Sequence, residues 1–234
     1  MGTIPELPAS SSHSFLTISP VPSPTVDGVF VPALPGQLLA QGRFAKDLNI
    51  MVGHNFNEGP LFSDPSVSNS AEFNASLEAS YPGISPGSLD YIQNVLYPPK
   101  FDGSLGYTSQ LEREILLVSE LTFLCNAYYL NRAFGNKTYA YEFAVPPGFH
   151  GFDVNYTYYD GSNPAVIAPK IAIALQEYIT SFAETGVPVA KGTPIFPQHG
   201  PNSQLQLLNI TGITTMTDPT SARRCDWWQK GLLN

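Results

Sequence analysis

Two short apolar segments, each followed by a turn that displays an ionisable side chain, most constrain the fold of this chain. Residues 48–53 are predicted to form a buried strand that Gly53 ends, and the turn beyond it presents Glu58. Residues 138–143 alternate as a half-buried strand does, and a proline pair halts them before a loop that presents His150. The pattern therefore predicts two strands with an acid and a histidine on the loops after them.

Helical patterns surround these strands. A long helix is predicted over 108–134, with one face formed by Leu111, Ile115, Val118, Thr122 and Cys125. A second clear helix begins at Pro169 and is closed by Gly186. Shorter helices are predicted at 70–81, 87–97 and 220–233, and a late strand at 204–210. Strands that alternate with helices indicate a mixed α/β sheet protein, here with three or so strands.

The composition limits the class of protein. Hydrophobic residues make up 43% of the chain, which is enough for a substantial core, and charged residues only 13%. With 22 prolines and 19 glycines, this profile is typical of a loop-rich extracellular enzyme. The net charge of −8 argues against a nucleic-acid partner, because nothing here could neutralise a row of phosphates. No window approaches 18 uninterrupted apolar residues, so we expect no membrane span. The oligomeric state is left open.

Four motifs in a fixed order carry a family resemblance. They are Thr25-Val-Asp-Gly-Val-Phe-Val-Pro32, Asn57-Glu58-Gly59, His150-Gly151-Phe-Asp153-Val and Cys225-Asp-Trp-Trp. With them the chain resembles the C-terminal half of a type B carboxylesterase/lipase, the group that includes the cholinesterases, and most closely the secreted members from filamentous fungi. The resemblance implies the C-terminal portion of an α/β-hydrolase fold, an incomplete mixed sheet with flanking helices. It would cover residues 25–234, behind an irregular, Ser- and Pro-rich lead-in at 1–24.

The resemblance also assigns roles to individual residues. In the family a nucleophile, an acid and a histidine follow in that order, each on a loop after a sheet strand, and Glu58 and His150 match the last two. His150 would take the serine proton and return it to the leaving alcohol, while Glu58 would orient the imidazole. Asp153 resembles the acid that follows the histidine and would be a structural hydrogen-bond partner. Without the resemblance, Glu58 is an ordinary turn acid and His150 a solvated loop histidine.

The nucleophile of such a triad is absent from the sequence. One literal Gly-x-Ser-x-Gly occurs at 83–87, but the residue after a nucleophilic serine must donate its backbone N–H to the oxyanion, and Pro86 has none. Proline also pushes Ser85 toward extended conformations, and Ser85 follows Glu58 in the chain, against the family order. The family's glycine-rich oxyanion loop is missing as well. We therefore expect no esterase activity from this chain by itself.

The two cysteines, Cys125 and Cys225, could by themselves be two buried thiols. The resemblance implies that they form a disulfide between the long helix and the C-terminal segment. Four sequons, at Asn74, Asn136, Asn155 and Asn209, are candidate glycosylation sites. The full-length family member would be secreted, although the first residues here lack the basic and apolar regions of a signal peptide, which fits a chain whose true N-terminus is missing.

Neither a cofactor nor a metal is expected. His54 lies close to Glu58 in sequence, but the pair lacks the helical His/Glu spacing and the third ligand of a zinc site.

The expected partner is a small-molecule or lipid ester, the substrate of the complete enzyme. The alternative function is a non-catalytic, cholinesterase-like binding or adhesion module, since such modules lose triad members without penalty. Retention of both Glu58 and His150 favours the enzyme.

Overall fold

In the part of the chain that the structure describes, the sheet is mixed and has four strands. A computed structural model describes residues 26–231, so the lead-in predicted at 1–24 lies outside the described residues. The strands are β1 (Met51–Asn55), β2 (Tyr139–Phe143), β3 (Gln204–Asn209) and β4 (Gly212–Thr217), and they lie side by side in that order. β1 and β2 are parallel, as are β2 and β3, whereas β4 is antiparallel to β3.

Helices connect and cover these strands. They are α1 (Pro35–Ala40), α2 (Ser70–Ser80), α3 (Pro86–Tyr91), α4 (Gln110–Ser119), α5 (Cys125–Ala133), α6 (Phe152–Thr157), α7 (Pro169–Thr185) and α8 (Ala222–Gln229). A 3₁₀ turn occupies Gly59–Leu61, and π-helical turns occupy Ile92–Leu96 and Glu120–Leu124. The strand–helix–strand order places the loops after β1 and β2 at the same end of the sheet.

Two apolar cores hold these elements together. One lies between the sheet and helices α6 and α7, and its members include Phe143, Tyr156, Leu175, Tyr178 and Leu208. The other lies among helices α2, α4, α5 and α8, and its members include Phe73, Leu117, Val118, Tyr129 and Trp228. Helix α5 also packs against β1, which fixes the second core to the sheet.

Gly53 lies inside β1, so the prediction that it ends this strand is wrong. The strand continues for two more residues, to Asn55. A side chain at position 53 would overlap the ring of Tyr141, its partner on β2. The glycine is therefore needed for a close approach between neighbouring strands, and not for a turn.

The predicted helix at 108–134 is one run made of α4, a π-helical turn and α5. Val118 and Cys125 are buried as predicted, but Thr122 is exposed. The π-helical turn at Glu120–Leu124 adds a residue to the turn, which rotates Thr122 away from the core. Helix α7 begins at Pro169 and ends before Gly186 as predicted, while β4 and α6 carried no sequence signal that predicted them.

Helix α8 is fixed to this long helix by covalent and ionic contacts. Cys125 and Cys225 form a disulfide with Cα atoms 5.1 Å apart, which confirms the pairing that the resemblance implied. Arg224 donates to Glu120 from Nε and from Nη2, both at 2.5 Å. Trp228 Nε1 donates to the hydroxyl of Tyr97, which in turn donates to Glu120. The terminal helix is therefore joined to the domain next to the π-helical turn.

Glu114 is a carboxyl group enclosed among the helices. It has no exposed surface, and its Oε1 accepts a hydrogen bond from Ser76 Oγ of α2 at 2.9 Å. Burial raises the pKa of the Glu114 carboxyl to about 7, and the Ser76 hydroxyl opposes that rise. The folded chain therefore keeps a proton on Glu114 at pH values where the unfolded chain has lost it.

Removing the disulfide should destabilise the chain. The double substitution Cys125→Ala/Cys225→Ala should lower the free energy of unfolding by roughly 4–5 kcal/mol, because the bond closes a loop of about 100 residues in the unfolded chain. Urea denaturation of the purified chain measures this loss, and reduced wild-type chain is the control. Equal midpoints for the oxidised wild type and the double variant would contradict the prediction.

The buried Glu114 should make stability depend on pH. Between its ordinary value of 4.5 and about 7, the folded state binds one proton more than the unfolded state, so the free energy of unfolding should fall as pH rises. Glu114→Gln should remove this component, which is at most roughly 3 kcal/mol. Urea denaturation at a series of pH values tests it, with the exposed Glu78→Gln as control. Identical pH slopes for the two variants would show that Glu114 does not titrate in this way.

Candidate active site

The loops after β1 and β2 continue the pairing of the two strands. Phe56 N donates to Phe143 O at 2.9 Å, and Asn57 N donates to Gly148 O at 2.8 Å. The side chain of Asn57 adds a bond from Nδ2 to Pro147 O at 2.8 Å. These bonds hold the two loops side by side just beyond the sheet.

This pairing brings Glu58 and His150 into contact although 92 residues separate them. His150 Nδ1 lies 2.6 Å from Glu58 Oε2, within the hydrogen-bond range that the resemblance requires. Glu58 is buried, whereas 42% of the His150 side chain is exposed. With Glu58 ionised, Nδ1 carries the proton of this bond, so Nε2 is the nitrogen that can accept a proton. The pair has the geometry of an acid that orients a solvent-accessible base.

The second oxygen of Glu58 is held by Asn55 at the end of β1. Glu58 Oε1 accepts a bond from Asn55 N at 2.5 Å and lies 3.4 Å from Asn55 Nδ2. The same Nδ2 donates to Asp153 Oδ1 at 3.1 Å. Both carboxylate oxygens of Glu58 are therefore directed, one at Asn55 and one at His150.

Asp153 lies beside the pair and takes part through its neighbours. Its Oδ2 accepts a bond from Tyr141 Oη at 3.2 Å, and its Oδ1 accepts the bond from Asn55. Burial, with the nearby charges of Asp153 and Glu58, raises the pKa of the Tyr141 hydroxyl well above 10, so the hydroxyl remains a donor. Asp153 therefore hydrogen-bonds to Asn55 and Tyr141, residues that sequence reasoning had not singled out, and its structural role stays a prediction.

Two phenylalanine rings pack against the imidazole of His150. The Phe123 ring lies 4.5 Å from it and the Phe62 ring 5.1 Å from it in an edge-on arrangement, measured between ring centroids. Phe62 belongs to the acid turn, and Phe123 to the π-helical turn at Glu120–Leu124. The rings restrict the imidazole to the orientation that faces Glu58. No sequence signal pointed to Phe123, because its contact depends on how the long helix crosses the loops.

Gly59 lets the acid loop lie directly on helix α4. Gly59 N donates to Ser119 Oγ at 2.9 Å, and that hydroxyl donates to Ile115 O at 2.7 Å. A Cβ atom at position 59 would overlap the carbonyl oxygen of Ile115 and the hydroxyl of Ser119. Gly59 therefore allows the loop that carries Glu58 to lie in direct contact with helix α4.

The remaining candidates have structural roles. Ser85 caps helix α3, where its Oγ accepts a bond from Ser88 N at 3.1 Å and Pro86 is the first helical residue. His54 is buried, with Nδ1 3.2 Å from Asn55 O, and no group of three or more His, Cys, Asp or Glu side chains within 26–231 could hold a metal ion.

The four sequon asparagines, Asn74, Asn136, Asn155 and Asn209, are half-buried, and their glycosylation stays a prediction.

Comparisons with known proteins show the family of this chain. A family model described as "Carboxylesterase family" matches residues 11–228. The chain belongs to the carboxylesterase family. Carboxylesterase patB of Penicillium expansum is 33% identical over 208 residues, which are 88% of this chain and 37% of patB. A secreted lipase of Arthroderma benhamiae is 24% identical over 229 residues, which are 90% of this chain and 43% of the lipase.

Solved esterase structures share the fold of this carboxylesterase family member. Aspergillus niger EstA superposes with a TM-score of 0.75 at 21% identity, over 89% of this chain and 44% of EstA. A pNB esterase superposes with a TM-score of 0.62 at 22% identity, over 86% of this chain and 42% of its own. The chain thus forms a portion of the α/β-hydrolase fold and spans about 37–43% of the length of the curated relatives it matches. No helix in the described residues is long and apolar enough to cross a membrane.

A side chain at Gly59 should disturb the acid loop. Gly59→Ala should lower the free energy of unfolding by roughly 1–3 kcal/mol, because the added methyl group overlaps the backbone of α4 and forces the loop to move. Denaturation of the purified chain measures the effect. Gly87→Ala is the matched control, since a methyl group there meets no atom within 4 Å. Equal stability of the two variants would contradict the role assigned to Gly59.

Proposed function

We propose that this chain forms the acid- and histidine-bearing part of a serine carboxylic-ester hydrolase, a carboxylesterase or lipase that acts through a Ser-Glu-His triad. The contact of 2.6 Å between Glu58 and His150 carries the proposal. Membership of the carboxylesterase family supports an ester substrate, as do the names of the relatives, carboxylesterases and a secreted lipase.

In the proposed reaction His150 is the general base and acid. Nε2 accepts the proton of the serine hydroxyl as the serine oxygen attacks the ester carbonyl, and it returns that proton to the leaving alcohol. A water molecule then attacks the acyl carbon while Nε2 accepts one of its protons. Nε2 returns this proton to the serine oxygen as the bond between that oxygen and the acyl group breaks, which releases the carboxylic acid and restores the serine. Glu58 keeps the imidazole in the tautomer with Nδ1 protonated and stabilises the imidazolium that forms in each step.

The serine and the oxyanion hole belong, in this proposal, to sequence that precedes the present chain in the complete protein. Within the described residues β1 has only β2 as a neighbour, so its other edge offers unpaired N–H and C=O groups for a further strand. Phe56 and Leu61 on the acid loop are 61% and 52% exposed. A nucleophile-bearing strand at this edge and the loops around it would cover both features. We therefore expect the chain alone to be inactive and to aggregate at high concentration, so that its unfolding is measured in dilute solution.

The intact environment of Glu58 argues against a binding module without chemistry. A binding surface needs no buried carboxylate whose two oxygens are directed at a histidine and at a backbone N–H.

The disulfide and the secreted lipase relative support secretion of the complete protein, because disulfides persist in oxidising compartments.

Activity should appear only when the nucleophile is supplied. The chain 1–234 should not hydrolyse p-nitrophenyl esters, whereas its expression together with the preceding half should restore turnover. In that complete enzyme His150→Ala should lower kcat/KM by about 10³-fold or more, because no other group can move the serine proton. Ser85→Ala is the control and should leave turnover unchanged. Esterase activity of 1–234 alone that disappears with Ser85→Ala would overturn the proposal.

A further inference from the structure

Asn55 places one side-chain amide between the two carboxylates of the site. The residue is buried at the end of β1, and its Nδ2 lies 3.4 Å from Glu58 Oε1 and 3.1 Å from Asp153 Oδ1. Its backbone N donates to the same oxygen of Glu58 at 2.5 Å. On the basis of the proposed function, we infer that Asn55 is a positioning residue that holds Glu58 toward His150 and keeps Asp153 apart from Glu58.

The reason lies in the charge of the two acids. Two carboxylates in one partly buried site repel each other, and hydrogen-bond donors around each one replace the contacts with water that burial removes. Asp153 has the hydroxyl of Tyr141 as its other donor, and Glu58 has the backbone of Asn55. The two hydrogens of the Asn55 amide complete both sets of donors and lie between the two negative charges. The second oxygen of Glu58 is then left to accept from His150.

The other end of the Asn55 side chain indicates how strongly this orientation is held. Asn55 Oδ1 is buried and has no hydrogen-bond partner within residues 26–231. An unpaired buried acceptor is unfavourable, and turning the amide over would only point that oxygen at two carboxylates. The NH₂ group therefore faces the acids because their charge outweighs the unsatisfied carbonyl. Among side chains of this size only asparagine supplies two donors from one atom.

The first test is spectroscopic and does not depend on turnover. A proton shared between His150 Nδ1 and Glu58 Oε2 should give a far-downfield proton resonance in the NMR spectrum of the complete protein, and His150→Gln should identify it by its loss. Asn55→Ala should shift or remove this resonance, whereas Asn126→Ala, on the exposed face of α5, should leave it in place. If Asn55→Ala does not fold, Asn55→Ser, whose hydroxyl still offers one donor, carries the same test with a smaller shift.

The second test uses the complete enzyme. Asn55→Ala should lower kcat by about 10- to 100-fold with little change in KM, because the misplaced base affects the chemical step and not substrate binding. Asp153→Ala should have a smaller effect, and the double variant should be no slower than Asn55→Ala, since Asp153 acts through Asn55.

The two tests separate this inference from the proposed function. An unchanged resonance in Asn55→Ala, an unchanged kcat, or strictly additive effects of Asn55→Ala and Asp153→Ala would each overturn the positioning role. If the complete protein hydrolyses no ester but the resonance depends on Asn55, the proposed function fails and the positioning of Glu58 stands.

Discussion

The parallel pairing of β1 with β2 is the interaction on which the rest of the site depends. Its register sets Asn55 opposite Phe143, and the hydrogen bonds continue beyond the strands to an isolated bridge between Asn57 and Phe149. Strand β1 ends three residues before Glu58, and strand β2 ends seven residues before His150. A shift of the register would separate Glu58 from His150, because the reach of a carboxylate–imidazole bond is about 3 Å.

Glycine at two positions lets neighbouring elements pack closely around the site. At Gly53 the missing side chain leaves room for the ring of Tyr141, whose hydroxyl then reaches Asp153. At Gly59 it lets the acid loop rest on the backbone of α4. In both places the close approach of two elements brings a polar group to its partner, the Tyr141 hydroxyl to Asp153 and the Gly59 N–H to Ser119. The contacts that pack these elements together therefore also set the hydrogen bonds next to the site.

The long helix formed by α4, the π-helical turn and α5 contacts the loops of the site and joins them to helix α8. Ser119 accepts the bond from the acid loop, Phe123 packs on His150, and Cys125 holds α8 through the disulfide. Ser119 and Phe123 are four residues apart, so even a regular α-helix would place them on one face, and the π-helical turn alters mainly the direction of the residues that follow it. The π-helical turn changes the phase of the helix between Ser119 and Cys125, and π-helical turns inside α-helices are frequent at functional sites.

The sequence by itself determined the elements with strong periodicity, and its resemblance to a family identified Glu58 and His150 as the central pair of the site. The strands that became β1, β2 and β3 and the helix that begins at Pro169 could be predicted because their apolar patterns are local. Pro86 and the position of Ser85 after Glu58 argued against Ser85 as a nucleophile. The pairing of Glu58 with His150 and of Cys125 with Cys225 followed from the family resemblance, since nothing local links residues so far apart. Only the tertiary structure decided the contributions of Asn55, Tyr141 and Phe123, the exposure of Thr122 and the formation of β4. Each of these depends on a neighbour that is distant in sequence or on the phase of a helix, and no periodicity in the sequence reports such contacts.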